Sequence, residues 1–151
     1  MEVINTDTQK NRKTTKHIHI VDLDKCVGCQ LCQYACSRRF GDAGIAHTAI
    51  WVHAAGDFER GFVISVCQAC EDPPCASVCP TDAITPKEGG GIKFNSKKCI
   101  GCKNCVEACN LDAIFWDPSL NKPITCVYCG LCAKACPHDV LKLLSKEEIM
   151  L

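Results

Sequence analysis

The chain has 151 residues, a length that fits one ordinary domain. With 17 Lys+Arg against 17 Asp+Glu its formal charge is zero, which excludes the basic footprint of a nucleic-acid binder. Five Phe, two Trp and two Tyr supply little bulky apolar material for a conventional core, and the longest apolar runs are far too short for direct membrane insertion.

Residues 1–16 include Lys10, Arg12, Lys13 and Lys16 and lack apolar periodicity; a flexible basic arm is expected, either a solvated tail or a partner-binding segment. No apolar stretch of signal-peptide length precedes Cys26, so a reducing cytoplasm is the expected location. Residues 17–21 read as a short strand. The interval 37–66 contains two stretches rich in Ile, Val, Trp and Phe, at 45–52 and 61–66, with Ala55-Gly56-Asp57 able to turn between them. This predicts an inserted β-hairpin, or a pair of short strands, that extends a small sheet. Gly89-Gly90-Gly91 marks a turn before a strand at 92–94, and a strand at 114–116 is expected to stop at Asp117-Pro118. A last strand at 141–144 leads into a short helix or arm at 145–151.

All sixteen cysteines fall into four units. These are Cys26, Cys29, Cys32, Cys36; Cys67, Cys70, Cys75, Cys79; Cys99, Cys102, Cys105, Cys109; and Cys126, Cys129, Cys132, Cys136. Three have the spacing C-x2-C-x2-C-x3-C, and the second widens one interval to C-x2-C-x4-C-x3-C. Their surroundings repeat too: Pro80-Thr81-Asp82-Ala83-Ile84, Asn110-Leu111-Asp112-Ala113-Ile114 and Pro137-His138-Asp139-Val140-Leu141 follow the last cysteines of three units. A small β–loop–helix–β element used repeatedly is therefore expected.

Three thiolates within seven residues can wrap one iron–sulfur cube, with the fourth cysteine expected at the start of a helix and pointing away from that loop. In two-cluster ferredoxins this fourth cysteine serves the other cluster. Four-thiolate zinc sites and disulfides are the competing readings. Zinc ribbons, however, use two separated C-x2-C pairs, and disulfides suit a secreted chain. Four [4Fe–4S] clusters are the expected cofactors, structural as well as redox, so the apoprotein should fold poorly. Each oxidised cluster with four thiolates carries about −2, bringing the loaded protein to about −8.

Proline follows Cys79 and Cys136, whereas Ser37 and Asn110 follow Cys36 and Cys109. Gly28 and Gly101 are expected to let the backbone approach the sulfides or simply to form a turn. Lys25 and Lys98, each next to a first cysteine, would raise a cluster potential or be solvated. His17, His19, His47, His53 and His138 share no ligand spacing and read as surface or strand residues; Trp51 and Trp116 read as sheet packing, or else as partner contacts. No dinucleotide fingerprint or phosphate loop is present, so no catalytic residue is assigned and catalysis by this chain alone is not expected.

Over residues 17–144 the chain resembles the four-cluster ferredoxin-like electron-transfer subunits of molybdenum and tungsten oxidoreductases. The segment from Cys67 to Pro80, with Gln68, Ala69, Glu71, Asp72, Pro73, Pro74, Ala76, Ser77 and Val78 between the cysteines, is similar to that family's second motif almost throughout. The resemblance implies an α+β fold of tandem bacterial-type two-cluster modules, the first unit paired with the fourth and the second with the third. It further implies one cluster on Cys26, Cys29, Cys32 and Cys136, and another on Cys126, Cys129, Cys132 and Cys36. The third would sit on Cys67, Cys70, Cys75 and Cys109, and the last on Cys99, Cys102, Cys105 and Cys79. Many members with a membrane or quinone partner carry a long insertion in the fourth unit; here only Val127-Tyr128 and Gly130-Leu131 separate its cysteines, and no twin-arginine leader is visible.

The resemblance thus points to a minimal version like the small subunit of tungsten-dependent aldehyde oxidoreductases. Its expected partners are a large Mo/W-cofactor subunit and an FAD/NAD-binding subunit or a ferredoxin, with a higher-order assembly open. A free-standing polyferredoxin serving several enzymes and a mainly structural bridge are the alternatives.

Overall fold

The computed structural model describes residues 14–56 and 61–151. Most of the expected basic arm, with Lys10, Arg12 and Lys13, lies outside the described residues, as does Asp57 of the expected turn.

In each unit a loop with the first two cysteines runs into a helix that carries the third. These helices are α1 (Leu31–Arg38), α2 (Pro74–Ser77), α3 (Asn104–Ala108) and α4 (Leu131–Ala135). Three of the helices are entered through a left-handed residue, Gln30, Lys103 or Gly130, that reverses the chain. Helix α2 instead starts on Pro74, whose fixed φ suits a first helical position, and the two extra residues of the second unit make room for it.

The fourth cysteines do not start helices. Cys109 and Cys136 cap the C-terminal ends of α3 and α4, Cys79 lies just past α2, and Cys36 is inside α1. The reason is the spacing of four positions, about one helical turn, which keeps the fourth thiol on or just past the short helix that carries the third.

Strands join the units in a closed order. β1 (His17–Ile20) precedes the first unit, and β2 (Ile50–Ala54) pairs with β3 (Phe62–Val66) between units one and two. β4 (Ile84–Pro86) pairs with β5 (Ile92–Phe94) before unit three, and β6 (Phe115–Asp117) with β7 (Lys122–Ile124) before unit four. β8 (Leu141–Leu144), after the last unit, returns to β1, with His17 opposite Leu144 and Ile20 opposite Leu141. All four pairs are antiparallel two-stranded ribbons.

This order corrects two expectations. The β2–β3 hairpin does not extend another sheet; it is the first unit's version of the hairpins that follow units two and three. Residues 37–48 stand where the second and third units have only 80–82 and 110–112, so nine extra residues are inserted. Ala49-Ile50 then occupies the place that Ala83-Ile84 and Ala113-Ile114 take four residues after their cysteines. The strand expected from residue 45 accordingly begins only at Ile50, and Asp117, expected as a stop, lies within β6.

Two apolar cores follow this pairing. In one, Ile18, Ile50, Val52, Ile64, Val66, Ile124, Val140 and Leu141 gather with Cys32, Cys36 and Cys132. The other has only Ile84, Ile92 and Ile114 with Cys75 and Cys105. Cysteine is thus a sizeable part of both cores. A final helix, α5 (Lys146–Ile149), starts with a capping box of Ser145 and Glu148. It holds residues expected in the basic arm: Lys16 Nζ lies 3.1 Å from Glu148, and Thr14 Oγ1 donates to Glu147 at 2.7 Å. No helix of the described residues is long and apolar enough to cross a membrane.

Candidate metal centres

The folded units bring the sixteen thiols to the walls of four cavities, four to each. Cys26, Cys29, Cys32 and Cys136 line one, closed by Val52, Ile64, Val140 and Leu141. Cys36, Cys126, Cys129 and Cys132 line the second, with Ile18, Ile50 and Val66. In the other half Cys67, Cys70, Cys75 and Cys109 face Pro73, Pro74, Ile92 and Ile114. Cys79, Cys99, Cys102 and Cys105 face Ile84, Phe94, Ile100 and Trp116. Each quartet draws its fourth thiol from a different unit than the other three. Helix α1 packs on α4 and α2 on α3, which is what carries each fourth cysteine across.

Among the described residues no three His, Cys, Asp or Glu side chains converge as the ligands of one ion. The thiols instead surround spaces of about 310 Å³ in two cavities, 330 Å³ in a third and 900 Å³ in the fourth, open solvent at the mouth included.

The backbone around these spaces is shaped to receive negative charge. Gly28, Ala69, Gly101 and Tyr128, each two residues after a first cysteine, all have φ between 50° and 73°. Alternation of right- and left-handed residues turns successive N–H groups inward, a concavity common to anion and iron–sulfur sites. The same device recurs after three fourth cysteines, where Asp82, Asp112 and Asp139 have φ of 52°, 48° and 53°.

N–H groups duly reach sulfur. Ala113 N donates to Cys109 Sγ at 3.4 Å, Ala49 N to Cys36 Sγ at 3.3 Å and Tyr128 N to Cys126 Sγ at 3.3 Å. Ala49 and Ala113 are the equivalent alanines of the repeat, so the nine extra residues ahead of Ala49 leave this donor in place.

Six of these thiols resist ionisation. Burial, reinforced by neighbouring sulfurs, pushes Cys32 up to about 11 and Cys75, Cys126 and Cys132 up to about 12. Burial raises Cys67 and Cys105 as well. Cys79 moves the other way: some burial opposes its ionisation, but the N–H groups of Ile84, Thr81 and Ala83 outweigh it. A bound cationic iron core would supply what the buried thiols lack, since metal ligation needs thiolate and releases the proton. The donor set and the inward N–H groups fit a [4Fe–4S] group.

Several expectations take a different form here. Gly28 and Gly101 have the positive φ of a turn, but the near neighbours of an added Cβ would be the Phe62 ring and the Asn121 side chain. Lys25 reaches Asp22 at 3.3 Å and Lys98 is exposed. Two other cations line cavity walls: Lys103 beside Cys99 and Cys102, and Arg39 beside Cys36, Cys126 and Cys132, where its Nε is buried without a partner. Trp51 packs its ring 6.4 Å from Phe115, whereas Trp116 covers the Cys99 cavity under Lys103 Nζ, 5.2 Å away. His47, read as a surface or strand residue, is instead held between Asp42 and Asp117.

Tyr128 escaped the sequence reading, although a signal was present. It is the one bulky residue at a position that is Gly28, Ala69 and Gly101 in the other units. Gln33, fully buried in α1, was also missed; its Oε1 accepts from Val52 N at 3.0 Å and fixes α1 to β2.

Comparison with known proteins gives a consistent picture. Residues 66–114 and 98–140 match family models described as 4Fe-4S dicluster domains, and residues 23–40 match a 4Fe-4S binding domain. The thiosulfate reductase electron transfer subunit of Salmonella typhi is 31% identical over 158 residues, covering 92% of this chain and 82% of that protein. A polysulfide reductase component of Wolinella succinogenes is 32% identical over 143 residues, covering 83% and 74%. A tetrathionate reductase component of Salmonella typhimurium is 32% identical over 120 residues, covering 76% and 48%.

Proposed function

The chain belongs to the small iron–sulfur electron-transfer subunits of the molybdenum/tungsten oxidoreductases, and from that premise we propose that it relays single electrons through four [4Fe–4S] centres. The observation that carries this reading is the division of sixteen thiols into four cavities, each lined by four. When bound, such a group accepts and releases one electron at a time.

The chain's own residues supply the rest. Four thiolates per cavity would hold each group, and walls of Ile, Val, Leu and Pro keep water from most of its surface. N–H groups of Ala49, Ala113 and Tyr128 would offset the charge on sulfur. Cys29, Cys102 and Cys129 are exposed, so three of the four centres would have an edge at the surface where a partner can exchange electrons.

We further propose that the relay connects a large Mo/W-cofactor subunit with a flavin subunit or a soluble acceptor in the cytoplasm. The compact fourth unit favours a tungsten-dependent aldehyde oxidoreductase as the catalytic partner, and the reductases named among the relatives are the alternative. Anaerobic purification of the native complex tests both levels. About sixteen irons per chain are expected, together with tungsten and flavin; molybdenum without flavin would redirect the partner, and far fewer irons or zinc in their place would overturn the relay. In the same complex Cys102→Ala should abolish electron throughput while the subunits stay together.

A further inference from the structure

Tyr128 belongs by sequence to the fourth unit, between Cys126 and Cys129, yet its ring lies against the other half of the molecule. Its peptide N–H donates to Cys126 Sγ at 3.3 Å, and its hydroxyl lies 3.3 Å from Cys67 Sγ. These two sulfurs line different cavities, one in each half.

The seat for the ring is built by residues of the second half. A Cβ on Gly91 would come within 2.7 Å of the Tyr128 hydroxyl, so only glycine lets the strand pass there. Gly91 N is itself bonded to Cys70 O at 2.9 Å, and Lys87 Nζ stands 5.7 Å from the ring centre. Ile92 N donates to the phenol oxygen at 3.1 Å. That oxygen therefore acts as acceptor toward Ile92, and its own hydrogen is left to point at Cys67, whose ligating sulfur could only accept.

We propose that Tyr128 is the positioning residue that joins the two halves of the relay, coupling the centre bounded by Cys36, Cys126, Cys129 and Cys132 to the one bounded by Cys67, Cys70, Cys75 and Cys109. This rests on the reading of both quartets as [4Fe–4S] centres. One residue and two hydrogen bonds span the gap from sulfur to sulfur. An electron crossing it oxidises one centre by one unit and reduces the other by one; Tyr128 keeps its proton and is not itself oxidised. The phenol bond also stabilises the Cys67 centre more when that centre is reduced, because the added electron makes the sulfur a better acceptor.

The test uses the full-length, iron-loaded protein under anaerobic conditions. Tyr128→Phe keeps the ring and removes the hydroxyl. One of the four midpoint potentials should shift to a more negative value with the other three unmoved, and electron exchange between the halves after flash reduction should slow. The shifted signal should be the one that disappears in Cys109→Ala. Unmoved potentials in an iron-replete variant would overturn the role of Tyr128 alone, while a wild-type chain short of iron would overturn the centres themselves.

Should Tyr128→Phe lose iron, two measurements still decide. Replacement of Tyr128 by 3,5-difluorotyrosine keeps the shape and strengthens the donor, so the same potential should rise. Proton double-resonance spectra of the wild type in H2O and D2O should show an exchangeable hydrogen coupled to that centre. An unmoved potential with the analogue, or no such hydrogen, would overturn the proposal.

Discussion

His47 Nε2 lies 3.1 Å from Asp117 Oδ2, tying the segment inserted after α1 to the β6 strand of a different unit. The other ring nitrogen is 2.6 Å from Asp42 Oδ2, so one imidazole sits between two carboxylates. Asp117 is buried, and its second oxygen accepts from Ser119 N and Leu120 N to close the β6–β7 turn. That hairpin sends Trp116 and Pro123 over the Cys99 cavity and Ile124 into the core beside the Cys36 cavity. A single histidine thus helps to hold two candidate centres in relation.

This arrangement predicts a defined pH window. The hydrogen bond to Asp42 first, then the charge of Asp117, raises His47 above its ordinary 6.5. His47 in turn holds Asp42 below 3.8; for Asp117, partial burial opposes, but the N–H groups of Leu120 and Ser119 together with His47 prevail. A raised imidazole stabilises fully below its unfolded value and loses that contribution as pH climbs through its folded value. Lowered carboxylates stabilise above their unfolded value and lose the effect in acid. The melting temperature of the loaded protein should exceed that of His47→Gln most at about pH 5 to 6.5, and the gap should narrow on either side. A gap that widens steadily above neutral pH would contradict the bridge.

The cavities make a prediction about pairs of cysteines that sequence distance would not. Cys32 and Cys36 are one turn apart on α1 but line different cavities, whereas Cys36 and Cys126 are ninety positions apart and line the same one. Cys36→Ala with Cys126→Ala should therefore remove about four irons, no more than either change alone. Cys32→Ala with Cys36→Ala should remove about eight. Iron and sulfide assays with low-temperature spin resonance on anaerobic samples read the count directly. Equal losses from the two double variants would dissolve the assignment of quartets.

Gly28 has φ of 68° and faces the Phe62 ring of β3, which an added methyl would strike. A left-handed non-glycine residue costs about 1–2 kcal/mol and overpacking about 1–3 kcal/mol. Gly28→Ala should destabilise the loaded protein by about 2 kcal/mol or more, measured by chemical denaturation without oxygen. Gly41 also has a positive φ but nothing within 4 Å of an added Cβ, so Gly41→Ala should cost only the backbone part. A larger effect at Gly41 than at Gly28 would remove Phe62 from the explanation.

What the sequence revealed and what it hid divide along the range of the interactions. Cysteine spacing, the turn at Gly89-Gly90-Gly91 and the β8 strand are local signals, each carried by residues within a few positions, and all were legible. Strand β7 was not, because Lys122-Pro123-Ile124 is short, contains proline and is defined by its pairing with β6 rather than by its own pattern. The place of residues 37–48 was hidden too: a repeat lengthened by nine residues looks like a new element until Ala49 is seen donating to Cys36. His47 and Tyr128 depend on partners 70 and 61 positions away, Asp117 and Cys67. Only Tyr128 left a trace, as a bulky residue where the other units carry Gly or Ala.

The same short-range economy governs stability. One apolar core contains three buried isoleucines besides two cysteines, and each core is open where a cavity divides it. Without a group in the cavity, Cys75 and Cys105 would face space rather than packed atoms, and their buried thiols would gain nothing from neighbouring sulfurs. Removal of the metal should therefore cost the fold and not merely the redox activity. On treatment with a chelator and mild oxidant, far-ultraviolet circular dichroism should fall together with the visible iron–sulfur absorption, as one transition, and the product should be rapidly cut by protease. The half containing β4, β5 and the Cys75 core should be cut first, since it has fewer apolar residues than the half built around Ile18, Ile50 and Leu141. An apoprotein that keeps its dichroism and resists protease would mean that the strands and cores hold without the centres, and the clusters would then be passengers in a fold stable by itself.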